Sequence, residues 1–213
     1  QIEIENKEIV EEASHEWHSE AYDYVSRLSM EYGPDKYLKL IEKAKKECAI
    51  PIIASLNCAN SRWWVEYGKK IQLAGADALE LNISFLPTRE KNNPGDIEKR
   101  YYNIIQEIKK VIDIPVAVKI GPYFTSLYHL ANNMENLGVD GFVLFNRFYH
   151  FDIDLDNIQL KPANTYSNPI EIYPALRWVS LLSGELKSDI SATTGIHHAS
   201  EVLKFILAKK NTA

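Results

Sequence analysis

The stretch GADALELNI, from Gly75 to Ile83, decides the fold of this chain. Gly75 stands where the left-handed cap of a preceding helix belongs. After it, Ala78–Ile83 is a short run of mainly apolar residues, which is typical of a buried strand. A helix that ends on glycine and passes directly into a buried strand is the connection expected in α/β proteins.

Comparable runs recur along the chain, and longer segments with helical periodicity separate them. The predicted strands are Pro51–Leu56, Ala78–Ile83, Val116–Ile120, Phe142–Phe145 and Asp189–Thr193. Strands that alternate with helices indicate a parallel sheet with covered faces.

The helices between these strands are amphipathic. The clearest spans Ile97–Ile112, with Asp96 as its predicted N-cap. A second apolar stripe runs from Leu127 to Leu137, opened by Thr125 or Ser126. Glycines are expected at the ends of three helices: Gly75, Gly138 and Gly184.

An internal repeat favours a closed barrel over an open sheet. Ile50-Pro51 recurs as Ile114-Pro115 after 64 residues, and Gly75-Ala76-Asp77 recurs as Gly138-Val139-Asp140 after 63. We therefore predict an α/β fold of the (β/α)8 TIM barrel type. Such a barrel needs eight strands and roughly 250 residues. We accordingly expect the first two strands and the last strand to be absent from the chain as given.

The composition indicates a globular protein with one core. The 213 residues are 46% hydrophobic, and we predict a single domain over residues 1–213. The formal net charge of −5 argues against a nucleic-acid surface. Two cysteines, Cys48 and Cys58, are too few for a disulfide framework and favour a reducing cytosol. No apolar run approaches the roughly 18–20 residues of a membrane span, and no signal peptide is visible.

Two segments do not follow the alternation. For residues 1–34 we predict a loop or helical excursion. His15 and His18, within it, lack the pattern of a metal site. Residues 147–170 are too long for an ordinary βα loop, and we predict an inserted lid or hairpin over the site. The alternating aspartates of this insert lack the other residues of a calcium loop, so we predict no metal.

The residues that follow the strands are rich in amides, with one lysine inside a strand. In a barrel, these positions carry function. Several amides that point at one place suit a flat ligand with many donors and acceptors, such as a flavin or a pyrimidine. Lys119 can hold positive charge near a reduced flavin or a phosphate. Thr194-Gly195, before a helix, is a candidate anion cradle or an ordinary turn. The asparagines can alternatively cap βα loops.

Four motifs resemble the soluble, FMN-dependent class of the dihydroorotate dehydrogenase family. They are ALELNIS followed by Pro87, then VAVKIGP, GVDGFVLFN and TTGIHHASEVLKFILA. The first is similar to that family's ELN-x-S-C-P-N signature, which also occurs in the pyrimidine-oxidising domain of dihydropyrimidine dehydrogenase. The motifs run in the family's order from about Ile50 to Ala208.

The resemblance implies an FMN-binding barrel that oxidises dihydroorotate to orotate in pyrimidine biosynthesis. By motif position, the cofactor-binding residues would be Lys119, Asn82, Asn146, Thr194 and Gly195. The substrate would contact Asn57, Asn82 and Asn146. A small-molecule substrate, a cytoplasmic location and a homodimer are also implied, with no nucleic-acid or membrane partner.

Two departures mark a divergent member of that family. The family's base is Cys or Ser, and its place is occupied here by Phe85, which cannot accept a proton. The candidate substitutes are Ser84 and Cys58. The usual small residue after the later asparagine is replaced by Arg147. Phe85 therefore keeps two alternatives open: a flavoprotein with another small cyclic substrate, and a barrel that binds a ligand without turnover.

Overall fold

The computed structural model describes residues 34–58, 61–85, 93–147, 150–164 and 166–210. The chain divides into two compact units, a first unit that extends to Ala117 and a second unit that begins at Val118. The predicted excursion over residues 1–34, with His15 and His18, lies outside the described residues except at its last position. The single-domain organisation over residues 1–213 stays a prediction.

The first unit alternates helices and strands. Its elements are α1 (Pro34–Glu47), β1 (Ile53–Leu56), α2 (Ser61–Leu73), β2 (Ala78–Asn82), α3 (Pro94–Lys109) and the start of β3 (Val116–Ile120). Strands β1 and β2 pair in parallel, with Ile53 opposite Ala78 and Leu56 opposite Leu81. The backbone N–H of Leu79 donates to the carbonyl oxygen of Pro115, which aligns β2 with the approach to β3 (2.9 Å).

The core of the first unit forms where β2 meets two helices at Gly68. A methyl group added to Gly68 of α2 would lie 3.0 Å from Ile108 of α3 and 3.6 Å from Leu79 of β2. Glycine therefore lets α2 approach both elements closely. Beside it, Trp64 is 1% exposed and anchors the same face of α2.

Helix α3 begins earlier than the sequence pattern predicted. Asn93, and not Asp96, is the N-cap, because its side-chain oxygen accepts a hydrogen bond from the backbone N–H of Asp96. Pro94 then occupies the first turn, where a missing N–H costs nothing. The prediction started the helix at Ile97, after Pro94-Gly95, although proline is favoured in the first turn of a helix.

The second unit contains the end of β3 and the rest of the described chain. Its elements are α4 (Leu127–Asn136), β4 (Gly141–Leu144), β5 (Phe151–Asp154), β6 (Gln159–Pro162), a 3-10 turn (Pro169–Glu171), α5 (Ile172–Leu182), β7 (Asp189–Ala192) and α6 (Ala199–Lys210). Strands β4 and β7 pair in parallel, with Gly141 opposite Asp189 and Leu144 opposite Ala192. All four residues of β4 are buried.

Residues 151–162 form an antiparallel hairpin with two different faces. Phe151 and Ile153 lie opposite Pro162 and Leu160, which places apolar side chains on one face. Asp152 lies opposite Lys161 on the other face, with 3.7 Å between its carboxylate and the Lys161 ammonium. The carboxylate of Asp154 accepts hydrogen bonds from the backbone of Asp156 and Asn157 and so closes the turn. Asp152 therefore pairs across the two strands, and Asp154 stabilises the turn of the hairpin.

The predicted α/β class is confirmed, and each of the five predicted strands appears within a few residues of its expected bounds. Ser126 is the N-cap of α4, one of the two residues proposed for it. Gly75 and Gly138 are left-handed, both with φ of 92°, whereas Ser183 ends α5 in right-handed geometry and Gly184 is not among the left-handed glycines. The strands within the described ranges form no closed barrel. Within those ranges, every helix is too short or too polar to cross a membrane.

Candidate functional site

Polar side chains of the second unit collect at the carboxyl ends of β3, β4 and β7. The backbone N–H of Asn146 donates to the carbonyl oxygen of Ile120 at 2.7 Å, and that of Thr193 donates to Leu144 at 2.8 Å. These two bonds hold the three strand ends side by side. Lys119, the penultimate residue of β3, and Asn146 are both half-buried at this edge. In parallel α/β sheets this edge is where ligands bind.

The turn after β7 is held in an unusual backbone conformation. Thr194 and Gly195 both have positive φ, 77° and 74°. The hydroxyl of Thr193 donates to the carbonyl oxygen of Phe145 at 2.7 Å, which ties the turn to the end of β4. The N–H of Gly195 donates to the hydroxyl oxygen of Ser167 at 3.2 Å. These two bonds fix the turn against the end of β4 and against Ser167.

Gly195 also lies directly against the start of α5. A methyl group added to it would lie 2.4 Å from the backbone nitrogen of Ile172 and 3.0 Å from the carbonyl carbon of Glu171. No side chain fits there. The glycine is thus required by packing on α5, whatever ligand the turn binds.

The first unit carries a second set of polar strand ends. Asn57 and Asn82 each stand one residue beyond the paired positions Leu56 and Leu81, so they follow neighbouring strands at the same edge. Asn57 is exposed and Asn82 is half-buried. Ser84, two residues beyond β2, is also half-buried.

Cys58, the other candidate base, has an environment that opposes its ionisation. Burial raises the pKa of its thiol to about 12. The thiolate is the form that accepts a proton or attacks as a nucleophile, and at neutral pH it is almost absent at such a pKa. Burial therefore counts against Cys58 as the base.

The ring of Phe85, at the position where the resemblance expects a base, is held by two neighbours. Its centroid lies 5.1 Å from that of Tyr101 in an edge-to-face arrangement. The guanidinium of Arg100 stacks 3.8 Å from the same ring. Tyr101 donates its hydroxyl proton to the carbonyl oxygen of Ile83 at 3.4 Å, and burial raises the pKa of Tyr101 to about 12. Phe85 therefore has a packing role.

Arg147 pairs with a residue that lies far away in sequence. Its Nε lies 2.7 Å from Oε2 of Glu171, and its Nη2 lies 3.3 Å from Oε1. Both side chains are about four-fifths buried, with 20% and 17% exposed. The hydrogen bond from Arg147 holds the pKa of Glu171 below its ordinary value, and the backbone N–H of Asn168 contributes to the same effect. Sequence reasoning noticed Arg147 only as a departure and missed Glu171.

The remaining candidates have structural surroundings. His197 Nε2 lies 3.5 Å from the hydroxyl of Ser167, beside the turn after β7. The backbone N–H of His198 donates to Glu201, which caps the start of α6. No group of three or more potential metal ligands occurs within the described ranges.

Alternating strands and helices, with polar residues at the carboxyl ends of parallel strands, define an α/β protein. The family model for dihydroorotate dehydrogenase matches residues 29–208, and the chain belongs to that family, whose fold is a TIM barrel.

Curated relatives agree with this assignment. The chain is similar to the catalytic subunits of dihydroorotate dehydrogenase B (NAD(+)) from three organisms. It is 30% identical to that of Anoxybacillus flavithermus over 165 residues, covering 75% of this chain and 53% of the relative. It is 31% identical to that of Bacillus cytotoxicus over 171 residues, with 75% and 53% covered. It is 27% identical to that of Thermoplasma acidophilum over 183 residues, with 83% and 59% covered. The chain thus spans about half the length of the curated relatives it matches.

Proposed function

We propose that this chain belongs to an FMN-dependent oxidoreductase that oxidises dihydroorotate to orotate. The observation that carries the proposal is the placement of asparagine and lysine at strand ends within a chain matched by the family model over residues 29–208. The relatives named above are dihydroorotate dehydrogenases, which supports the same reaction class. A cytoplasmic location and a homodimer complete the proposal.

The side chains at the strand ends of the second unit suit the flavin. The ammonium of Lys119 would offset negative charge on a reduced flavin ring. The amide of Asn146 offers both a donor and an acceptor to ring or substrate atoms. The turn at Thr194 and Gly195 would lie beside the phosphate, next to the Ser167 hydroxyl that accepts the Gly195 N–H. The bound flavin would supply the acceptor for the hydride that leaves the substrate.

The first unit supplies residues for the substrate. Asn57 and Asn82, at neighbouring strand ends, would orient the pyrimidine through amide hydrogen bonds. Ser84 is our candidate for the group that takes the proton from C5 of dihydroorotate. Cys58 is the second candidate, and burial, which raises its pKa to about 12, counts against it.

One observation favours a second candidate function. Phe85 stands where the family's base is expected, and its ring is packed on Tyr101 and Arg100. A site without that base suits a flavoprotein that acts on a different small cyclic substrate, or a barrel that binds a ligand without turnover.

The test is an absorbance spectrum of the purified protein with FMN, followed by anaerobic addition of dihydroorotate. A flavin band that bleaches would support the proposed oxidation. A band that persists would favour another substrate or binding without turnover, which a panel of small cyclic substrates separates. Absence of a band once FMN has been supplied and the unbound flavin removed would refute the flavin proposal. Light scattering on the same sample tests the homodimer.

A further inference from the structure

We infer that Arg147 is a positioning residue for the cofactor, which holds the strand end at Asn146 and the turn at Thr194-Gly195 in one fixed arrangement. The inference rests on the proposed binding of FMN by these positions. It adds a role for a residue that departs from the family pattern.

The first step is the set of contacts around one guanidinium. Beyond its two-pronged pairing with Glu171, Nη2 of Arg147 donates to the carbonyl oxygens of Asn164 at 3.0 Å and Tyr166 at 3.3 Å. The same nitrogen lies 3.3 Å from Nδ1 of His150. We call these five residues the Arg147 cluster. It joins the start of the insert, the end of the insert and the turn before α5.

The second step connects the Arg147 cluster to the turn after β7. Glu171 Oε1 also accepts from the backbone N–H of Asn168, so the carboxylate fixes the turn over Asn168–Glu171. The backbone of Glu171 and Ile172 is the surface against which Gly195 packs without room for a side chain. The hydroxyl of Ser167 accepts the Gly195 N–H at 3.2 Å. A shift of this segment would therefore displace Gly195.

The third step is the position of Arg147 in the chain. It directly follows Asn146, whose backbone N–H is bonded to the end of β3. One side chain thus anchors both proposed cofactor positions, Asn146 through the backbone and Gly195 through Glu171 and Ile172. Because the pair is largely buried, it holds a more definite geometry than an exposed ion pair would.

The experiment measures FMN affinity by fluorescence quenching for the wild type, Arg147→Met and Arg147→Lys. We expect Arg147→Met to raise the Kd for FMN at least about tenfold, because misplaced binding groups lose most of their contribution. Arg147→Lys keeps the charge but not the planar fork, so we expect a comparable loss. Full affinity in Arg147→Lys would mean that charge alone acts on the phosphate, which would overturn the inference.

The matched control is Lys45→Met in the first unit. Lys45 also makes a two-pronged ion pair, at 2.8 and 2.7 Å, with Asp77. Loss of this ion pair should lower the melting temperature, while the Kd for FMN stays within about twofold of the wild-type value. An equal loss of FMN affinity in this control would show that general destabilisation explains the result and would overturn the inference.

Hydrogen exchange on the wild type gives a second measurement that needs no variant. Bound FMN should slow exchange at the backbone amides of residues 167–168 and 170–172 and at Gly195. FMN binding without any such protection would overturn the inference, even if the Arg147 variants fail to fold. A wild type that binds no FMN refutes the proposed function itself, whereas a wild type and Arg147→Met with equal affinity refute the positioning role alone.

Discussion

At Phe85, an aromatic ring occupies the position of a proton acceptor, and its neighbours show what a replacement would change. The ring lies between the edge of Tyr101 and the guanidinium of Arg100. Each of these contacts contributes about 0.5–1.5 kcal/mol in comparable settings. A smaller residue would lose both contacts, and only one with a titratable side chain would place a proton acceptor at the strand end.

The first prediction concerns Phe85→Cys. We expect anaerobic bleaching of the flavin by dihydroorotate to become about a hundredfold faster or more, because a positioned general base contributes on this scale. We also expect a loss of about 1–2 kcal/mol in the free energy of unfolding. Phe85→Ala is the control, since it makes the same space without a base. Equal bleaching rates in the two variants would contradict a role for this position in proton transfer.

Cys58 gives a prediction that can be read within a single sample. At pH 8, a thiol with a pKa of about 12 has roughly one thiolate in ten thousand molecules, so we expect almost no alkylation by iodoacetamide. The exposed Cys48 serves as the internal comparison and should be modified readily. Peptide mass spectrometry after brief treatment measures both sites. Rapid labelling of Cys58 in the folded protein would show that the thiol is accessible and ionised.

Gly195 and Gly75 both have positive φ, but only Gly195 lies directly against other atoms. Alanine variants of the two therefore distinguish the cost of backbone strain from the cost of a steric clash. Gly195→Ala combines positive φ with a methyl group 2.4 Å from a backbone nitrogen, and we expect a loss of about 2–4 kcal/mol in unfolding free energy. At Gly75, the nearest atom to an added methyl group is Lys45 Cγ at 3.7 Å, so Gly75→Ala should lose only about 1–2 kcal/mol to backbone strain. Urea unfolding of both variants checks the order, which a reversed result would contradict.

The position of a site residue in the fold was predictable where it depends on local sequence. Asn82, Lys119 and Asn146 follow short apolar runs, so their placement at strand ends could be read from the chain itself. The partner of Arg147 could not, because Glu171 lies 24 residues away and only tertiary structure brings the two together. The burial that raises the pKa of Cys58 likewise depends on packing that no local pattern reveals.

Among the elements, the start of α3 offers a direct comparison of two residues. Asn93→Ala removes the side-chain oxygen that accepts the Asp96 N–H, and we expect a loss of about 1 kcal/mol. Asp96→Ala removes a first-turn carboxylate that accepts a hydrogen bond from the side-chain amide of Asn93 and interacts with the helix dipole. The backbone N–H of residue 96 keeps its bond to Asn93, so we expect a loss of only about 0.5 kcal/mol. Thermal unfolding of the two variants distinguishes them. A larger loss of stability in Asp96→Ala than in Asn93→Ala would support Asp96 as the N-cap, as predicted from the sequence.

The regular elements were predictable because their periodicity is strong, and the insert was less so. Buried strands such as Val116–Ile120 appear with the bounds that their apolar runs indicated. The insert alternates Phe151, Asp152, Ile153 and Asp154, which is a strand pattern in a segment that charge and prolines mark as irregular. Its role as a lid stays a prediction.

At the scale of the whole molecule, hydrogen-bonded carboxylates predict how stability depends on pH. Burial would raise the pKa of Glu135, but hydrogen bonds from Ser188 and Lys187 outweigh it and hold the pKa below its ordinary value. The hydrogen bond from Arg147 likewise lowers the pKa of Glu171. Because the unfolded chain binds these protons more readily, the stabilisation is complete above the ordinary carboxyl pKa of 4.5. It is lost as the pH falls through the lower folded-state values.

We therefore expect the midpoint of urea unfolding to fall steeply between pH 5 and pH 3. The double variant Glu135→Gln/Glu171→Gln should show a shallower dependence, from a lower starting stability at pH 7. Exchange of the exposed Glu107 for glutamine provides the control and should leave the slope unchanged. An identical slope in the double variant would show that other groups govern acid unfolding.

The class of fold was predictable because it follows from the order of elements, which every βα unit repeats. The division into two compact units at Ala117–Val118 was not, since it falls inside a predicted strand and depends on packing across the whole chain. Family membership followed from four motifs in order, each of them at a strand end or helix start, where local sequence and local structure coincide.

The hydroxyl of Tyr37 has a consequence for how this protein behaves at high concentration. It accepts the backbone N–H of Ser55 at 2.9 Å and donates to the carbonyl oxygen of the same residue at 3.0 Å. Burial raises the pKa of Tyr37, so the hydroxyl keeps its proton. A side chain from α1 thus satisfies both groups that β1 would otherwise offer to a strand of another molecule at this point. At this position, therefore, a strand of another molecule would find no free backbone group of Ser55 with which to pair.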